Sequence, residues 1–288
     1  MFGEPLMATC WTSAGDAASD RADLRSPVPL RTRVEAAAAA RFRGFGLLSA
    51  DLPAAMRAHG GFDGVRALFE ENGITHVELE DVPAWWSDDG PQRETADAVR
   101  DLLLAAAPAL GARHIKVTPD GTGAPWDPAR WAARFGDLAA RAADSGVRLG
   151  IEFFPWSNIA TLADGLRLVE AAGHDNAGVI IDVWHTERGG TPVADLAAVP
   201  VERIIGVELN DADRTVVGTL FEDTVHRRRY CGDGDFDLTG AIASLRRAGW
   251  RGPWGVEILS DEHRALDVAT ACRRAFDTAD AVLTAAAG

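Results

Sequence analysis

The sequence predicts an α/β protein built as a single (β/α)8 TIM barrel that spans residues 1–288. Three observations favour this fold. Strand-like and helix-like segments alternate along the chain about eight times, which is typical of a closed parallel barrel. The chain has 288 residues, 47% of them hydrophobic, which is enough for one large core. Carboxylates stand at the ends of several strand-like segments, where barrel enzymes carry their functional groups.

Eight apolar or alternating segments have the pattern of buried strands. They lie at residues 5–12, 42–48, 74–80, 113–117, 147–153, 177–183, 203–209 and 254–259. Helices are predicted between them. They lie at residues 29–41, 51–59, 61–71, 92–110, 127–145, 161–172, 193–198, 238–248 and 261–287. Asp127 and Pro128 have the pattern of a helix start, Gly173 and Gly249 that of a helix end, and Pro108 is expected to kink or end its helix.

A doubly wound Rossmann sheet is the alternative reading of alternating strands and helices. That fold would carry a glycine-rich phosphate-binding motif after an early strand, and neither GxGxxG nor GxxxxGK[ST] occurs in the sequence. Residues 12–26 and 210–237 are polar and are predicted to be long loops. The barrel is therefore the favoured interpretation.

The stretch of residues 179–185, Val-Ile-Ile-Asp-Val-Trp-His, is central to the functional prediction. Asp182 ends its apolar run, and Glu152, Glu208 and Glu257 take the same place on three other strands. A single charged residue in a strand is more often solvated or paired with a local cation. Four of them at one mouth would repel one another unless a cation lay between them. We therefore expect a divalent metal site.

Composition restricts the partners and the compartment. The net charge of −14 disfavours nucleic acid and anionic membranes as partners. Three cysteines in no metal-binding or disulfide pattern indicate a reducing environment. No segment has the length and apolarity of a membrane span, and the N-terminus has no secretory pattern. We expect a cytoplasmic protein with a small-molecule substrate.

Several motifs resemble those of the xylose isomerase-like TIM barrels, the sugar phosphate isomerase/epimerase family that includes ketose 3-epimerases, inosose dehydratase and 3-dehydroshikimate dehydratase. The likeness covers nearly the whole chain. Its most specific parts are Gly-Ile-Glu-Phe at 150–153, Ile-Asp-Val-Trp-His at 181–185, Val-Glu-Leu-Asn-Asp at 207–211, Arg-Tyr-Cys-Gly-Asp-Gly-Asp-Phe-Asp at 229–237 and Gly-Pro-Trp-Gly-Val-Glu-Ile at 252–258.

The resemblance implies a metal centre held by one ligand from each of strands five to eight. These ligands are Glu152, Asp182, Glu208 and Glu257. The seventh-strand ligand in the family is usually His or Gln, so Glu208 makes this site more anionic. The implied metal is Mn²⁺, with Mg²⁺, Co²⁺ and Zn²⁺ as alternatives. Glu152 and Glu257 would also be the catalytic acid and base.

The implied activity is isomerisation or epimerisation of a ketose or keto-sugar. A proton is removed next to a carbonyl, and the metal stabilises the enediolate. His185 and Arg229 match substrate-binding positions, with an orienting role for His185 and solvation for Arg229 as alternatives. From its place at the end of the fourth strand, Lys116 would hold a substrate oxygen or pair with Glu152. The family also allows a homo-oligomer.

Two other functions stay open at this point. One is a lyase of the same fold, either a keto-polyol dehydratase or a C-glycoside eliminase; the other is a non-catalytic sugar-binding barrel. Glu80, His114 and His226 are weaker site candidates. Five tryptophans fall in or near loops of the predicted mouth, where they would contact a sugar ring or aglycone, or else pack on the barrel wall. They are Trp85, Trp86, Trp126, Trp156 and Trp184.

Overall fold

Eight parallel strands close into a barrel in a computed structural model that describes residues 4–88 and 90–287. The strands follow one another in chain order, and the eighth pairs with the first, as in the register of Leu6 with Trp254. Their bounds are β1 (Leu6–Ala8), β2 (Gly44–Leu48), β3 (His76–Glu80), β4 (Ala112–Val117), β5 (Arg148–Glu152), β6 (Ala177–Asp182), β7 (Ile204–Leu209) and β8 (Trp254–Val256). The prediction of a single TIM barrel is confirmed.

Helices connect the strands and cover the outside of the barrel. Their bounds are α1 (Leu30–Ala39), α2 (Leu52–His59), α3 (Phe62–Glu71), α4 (Pro91–Leu110), α5 (Pro128–Asp144), α6 (Leu162–Ala172), α7 (Val183–Arg188), α8 (Leu220–His226), α9 (Leu238–Ala248), α10 (Asp261–Arg264) and α11 (Val268–Ala285). The side chain of Asp127 caps α5 as predicted, and Gly173 ends α6 with a φ of 66°. Within residues 4–88 and 90–287, no helix is long and apolar enough for a membrane span.

The first strand is shorter than the predicted segment 5–12. It ends at Ala8, and Trp11–Ser13 form a short 3-10 helix. The hydroxyl of Thr12 donates to the Val256 carbonyl at 2.7 Å and accepts from the Ile258 backbone N–H at 3.0 Å. Beyond the end of β1, the Thr12 side chain therefore makes the hydrogen bonds to the eighth strand and the residues after it that a longer strand would make with its backbone.

The predicted loop 210–237 is wrong in its middle part, because α8 forms there. The Thr219 hydroxyl accepts from the Glu222 backbone N–H at 3.1 Å, and the Glu222 carboxylate accepts from the Thr219 backbone N–H at 2.8 Å. This reciprocal capping box is a sequence signal for a helix start. The predicted helix 193–198 is of the 3-10 type, and α4 continues two residues beyond Pro108 before Gly111 ends it.

Candidate metal centre

Four carboxylates meet at the mouth formed by the carboxyl ends of the strands. Glu152 ends β5, Asp182 ends β6, Glu208 lies near the end of β7, and Glu257 follows β8 directly. All four are at most 3% exposed, and one oxygen from each lies within 4.8 Å of the others. The structure thus brings together the four ligands predicted from the sequence.

Lys116 reaches the same cluster from β4. Its Nζ lies 2.8 Å from Glu208 Oε1, 2.9 Å from Glu80 Oε2, 3.2 Å from Glu257 Oε1 and 3.4 Å from Glu152 Oε2. The lysine therefore contacts four carboxylates, whereas the sequence suggested either a substrate contact or a pairing with Glu152. Burial would lower the pKa of Lys116, but the surrounding carboxylates outweigh it and raise that pKa well above its ordinary value.

The carboxyl groups of the cluster differ in proton affinity. Burial raises the pKa of Glu257 to about 8, against the opposing effect of Lys116 and Arg228. Burial and the charge of Glu257 raise the pKa of Glu208 well above its ordinary value. Burial also acts upward on Glu152, but Lys116 and then His185 outweigh it, so the pKa of Glu152 is lowered. The cluster therefore places two carboxyl groups with a raised pKa, Glu208 and Glu257, beside one with a lowered pKa, Glu152.

Arg228, rather than Arg229, lies at the centre. Its Nη1 donates to Asp182 Oδ2 at 2.7 Å and to Glu257 Oε2 at 3.0 Å, and its side chain is 2% exposed. The side chain of Arg229 is 41% exposed and pairs with Asp213 at 3.0 Å. The structure therefore places Arg229 outside the carboxylate cluster, and its contact with a substrate stays a prediction. Successive residues of an extended chain point to opposite sides, so only one of these two neighbours can face inward.

His185 lies in the first turn of α7, directly after Asp182. Its backbone N–H donates to Asp182 Oδ1 at 3.1 Å, so the carboxylate caps the helix that carries the histidine. Its Nε2 lies 3.4 Å from Glu152 Oε1. The imidazole packs against Phe154 and Trp156, with ring centroids 4.7 and 5.6 Å apart. The predicted substrate contact and the alternative orienting role are both compatible with this position.

A cavity of about 190 Å³ opens above the cluster. This volume is many times what a single water molecule needs, so the cavity can hold a small molecule. The charged lining consists of Glu80, Asp81, Lys116, Glu152, Arg228 and Glu257. The rest of the lining is largely apolar and includes Trp11, Leu24, Leu48, Phe154, Trp156 and Phe221. A ligand would thus meet both charged groups and aromatic rings.

The five tryptophans divide into two groups. Trp156 lines the cavity, and Trp184 packs against it at a centroid distance of 6.1 Å. Trp85, Trp86 and Trp126 instead surround Trp131 of α5, at 4.8, 4.8 and 5.5 Å. For this second group, packing on the barrel wall is the reading that the contacts support.

The weaker candidates also separate. Glu80 lines the cavity beside Lys116. His114 pairs with Glu78 inside the barrel, one inward-facing position before Lys116 on the same strand. His226 lies at the end of α8 and contacts Asp261 at 2.9 Å. Sequence reasoning missed Asn210, whose side-chain amide donates to Asp182 Oδ2 at 2.9 Å.

The residues at this centre fit a divalent cation. Glu208 Oε2 is buried and has no hydrogen-bond partner among the described residues, and Glu152 Oε1 is buried with only the 3.4 Å contact to His185 Nε2. Unpaired buried carboxylate oxygens are costly, and they are the preferred ligands of hard divalent ions. Asp182 is already held by Asn210, Arg228 and the backbone of His185, which fixes its orientation as partners of metal ligands do.

Comparison with known proteins gives one family. The family model described as a xylose isomerase-like TIM barrel matches residues 34–278. A 3-dehydroshikimate dehydratase of Pseudomonas aeruginosa is 33% identical over 177 residues, which are 61% of this chain and 27% of that protein. An inosose isomerase of Halalkalibacterium halodurans is 28% identical over 144 residues, 49% of this chain and 50% of that protein. The matches thus span between a quarter and a half of these curated relatives.

Solved structures agree on the fold. The crystal structure of the IOLI protein with a bound zinc atom superimposes with a TM-score of 0.84 at 18% identity, covering 98% of each chain. At this identity the likeness concerns the fold. It gives the same barrel that the strand order of this chain establishes.

Proposed function

Because the chain belongs to the xylose isomerase-like TIM-barrel family, we propose that it is a divalent-metal-dependent isomerase or epimerase of a ketose or keto-sugar. The observation that carries this proposal is the convergence of Glu152, Asp182, Glu208 and Glu257, all buried, at the mouth of the barrel. Relatives of the chain carry names of an isomerase and a dehydratase, which support chemistry next to a carbonyl.

The four carboxylates would hold the metal, and a metal bound there supplies Lewis-acid polarisation of a substrate carbonyl. Glu152 and Glu257 also line the cavity, whereas Asp182 and Glu208 lie deeper. Of the four proposed ligands, Glu152 and Glu257 are therefore the ones that can exchange a proton with substrate carbon. One takes the proton from the carbon next to the carbonyl. Delivery of the proton to the former carbonyl carbon, with transfer of the hydroxyl proton from the first oxygen to the second, isomerises the sugar, and delivery to the opposite face of the same carbon epimerises it.

The cations and the imidazole at the cavity would orient the substrate. Lys116 and Arg228 carry N–H groups that suit sugar oxygens and the negative charge that develops on them. His185 lies between Glu152 and the aromatic wall, where it can contact a substrate hydroxyl. Phe154 and Trp156 stack at 5.1 Å and exclude water from that side.

A lyase acting on a cyclic keto-polyol is the second candidate function. The stretch similar to a 3-dehydroshikimate dehydratase and the aromatic wall of the cavity both favour it. The same proton removal would then be followed by loss of the hydroxyl on the β-carbon, which leaves as water after it takes a proton from the second cavity-facing carboxyl group. A conjugated enone product absorbs ultraviolet light, whereas an epimerised sugar does not, so an absorbance assay separates the two reactions.

The test is deuterium incorporation at carbon in D₂O with Mn²⁺ and a panel of ketohexoses and inososes, followed by NMR. Wild type is compared with Glu257→Gln and with Glu262→Gln. Glu262 is a matched control because its carboxylate is about half exposed and pairs with arginines outside the cavity. We expect exchange in wild type and in the control, and a loss of at least about 100-fold in Glu257→Gln. Exchange that survives in Glu257→Gln would contradict the assigned role.

A further inference from the structure

Lys116 is the only lysine in a chain whose lysines and arginines together number 29. Every other permanent side-chain cation is therefore an arginine. An ammonium is a compact point charge, whereas a guanidinium is a broad planar fork. The single lysine lies at the place where carboxylate oxygens surround one point, which is the geometry that suits a small round cation.

The carboxylates around Lys116 are largely the predicted metal ligands. Three of its four contacts, to Glu152, Glu208 and Glu257, belong to the group that could hold a metal ion. An ammonium has three N–H donors, whereas four carboxylates surround it. Lys116 therefore cannot donate a hydrogen bond to all four at once. Lys116 thus uses the same ligands that a divalent ion would need.

Glu208 shows how the two cations would meet. Its Oε1 lies 2.8 Å from Lys116 Nζ, while its Oε2 is buried without a hydrogen-bond partner among the described residues. One oxygen is therefore already committed to the ammonium and the other is available to a second cation. An ion at Oε2 and at the neighbouring ligands would lie close to a buried positive charge, and like charges repel strongly in such a site.

We propose that Lys116 is an internal cation that competes with the divalent metal and thereby sets how tightly this chain binds it. Without metal, the ammonium neutralises the cluster and keeps it folded. When metal binds, the ammonium moves toward Glu80, which lies 2.9 Å away and is outside the ligand group. The inference relies on the metal-binding part of the proposed function and is independent of the reaction catalysed.

Calorimetric titration of the metal-free chain with Mn²⁺ tests the competition. Wild type is compared with Lys116→Met and with Arg113→Met, a matched loss of one cation at the exposed start of the same strand. We expect Lys116→Met to bind Mn²⁺ at least about tenfold more tightly than wild type, and the control to bind as wild type does. Lys116→Gln serves in the same titration if the Met variant does not fold.

The outcomes separate this inference from the proposed function. Binding by wild type and Lys116 variants with equal affinity, or weaker binding by the variants, overturns the inference and leaves the metal site in place. Binding by the variants alone supports the inference and contradicts a metal-dependent reaction in the wild-type chain. No binding by any of the proteins overturns both.

A second readout needs no substitution. Protein labelled with ¹⁵N at lysine Nζ contains one labelled side chain, so its ammonium gives a single NMR signal. Titration with the diamagnetic ion Mg²⁺ is expected to shift or abolish that signal as one ion binds per chain. An unchanged signal, with Mg²⁺ binding established by calorimetry, would overturn the competition.

Discussion

Replacement of Arg228 by Met removes a buried cation from the centre of the site. Asp182 then loses a hydrogen bond of 2.7 Å and Glu257 one of 3.0 Å, and both carboxylates stay buried. Breaking a buried ion pair from one side typically costs about 3–5 kcal/mol. Asp182 keeps its donors from Asn210 and His185, and Glu257, whose pKa is raised to about 8, is largely protonated at pH 7 and leaves little unpaired charge. We therefore expect a loss of about 3 kcal/mol in the free energy of unfolding.

The matched control is Arg229→Met, one residue further along the chain. Arg229 is partly exposed and pairs with Asp213 at 3.0 Å, and exposed pairs of this kind contribute about 0.2–1 kcal/mol. Urea unfolding at pH 7 in a chelator, followed by far-ultraviolet circular dichroism, measures both variants. A loss in Arg228→Met of less than about 1 kcal/mol, or a larger loss in Arg229→Met, would refute the assignment of the inward-facing arginine.

Two further variants test other parts of the fold. Burial lowers the pKa of His263 from 6.5 to about 4, so between these pH values the unfolded chain binds a proton that the folded chain does not. The free energy of unfolding should therefore fall by roughly 3 kcal/mol as the pH is lowered from 6.5 to below about 4. Urea unfolding should show a smaller fall in His263→Gln. In Gly150→Ala, the added methyl group would lie 2.6 Å from Ile180 Cδ1 in the barrel interior. We expect a loss of about 1–3 kcal/mol that Ile180→Val partly restores, and no restoration would contradict this packing.

The sequence predicts the barrel well because each strand repeats the same physical pattern. A buried parallel strand needs an apolar run, and that run marks its own position in the chain. The sequence also predicts which residues lie at the mouth, because a carboxylate that follows such a run stands at the carboxyl end of its strand. Short helices are harder to predict, because α7 and α8 have six and seven residues, too few for a clear helical period. The capping box at Thr219 and Glu222 is the signal that could have located α8.

Which side chains pair with one another at the mouth depends on the three-dimensional fold and cannot be deduced from a local sequence pattern. Residues 227–229 are three consecutive arginines, and apart from the family resemblance that points to Arg229, nothing in the local pattern distinguishes one from another. Arg227 pairs across the chain with Ser260 and Arg229 with Asp211, so both flank the residue between them and are about two-fifths exposed. Arg228 must then point to the opposite side, where Asp182 and Glu257 lie. These two bridges to residues elsewhere in the chain thus decide which of three identical side chains reaches the cavity.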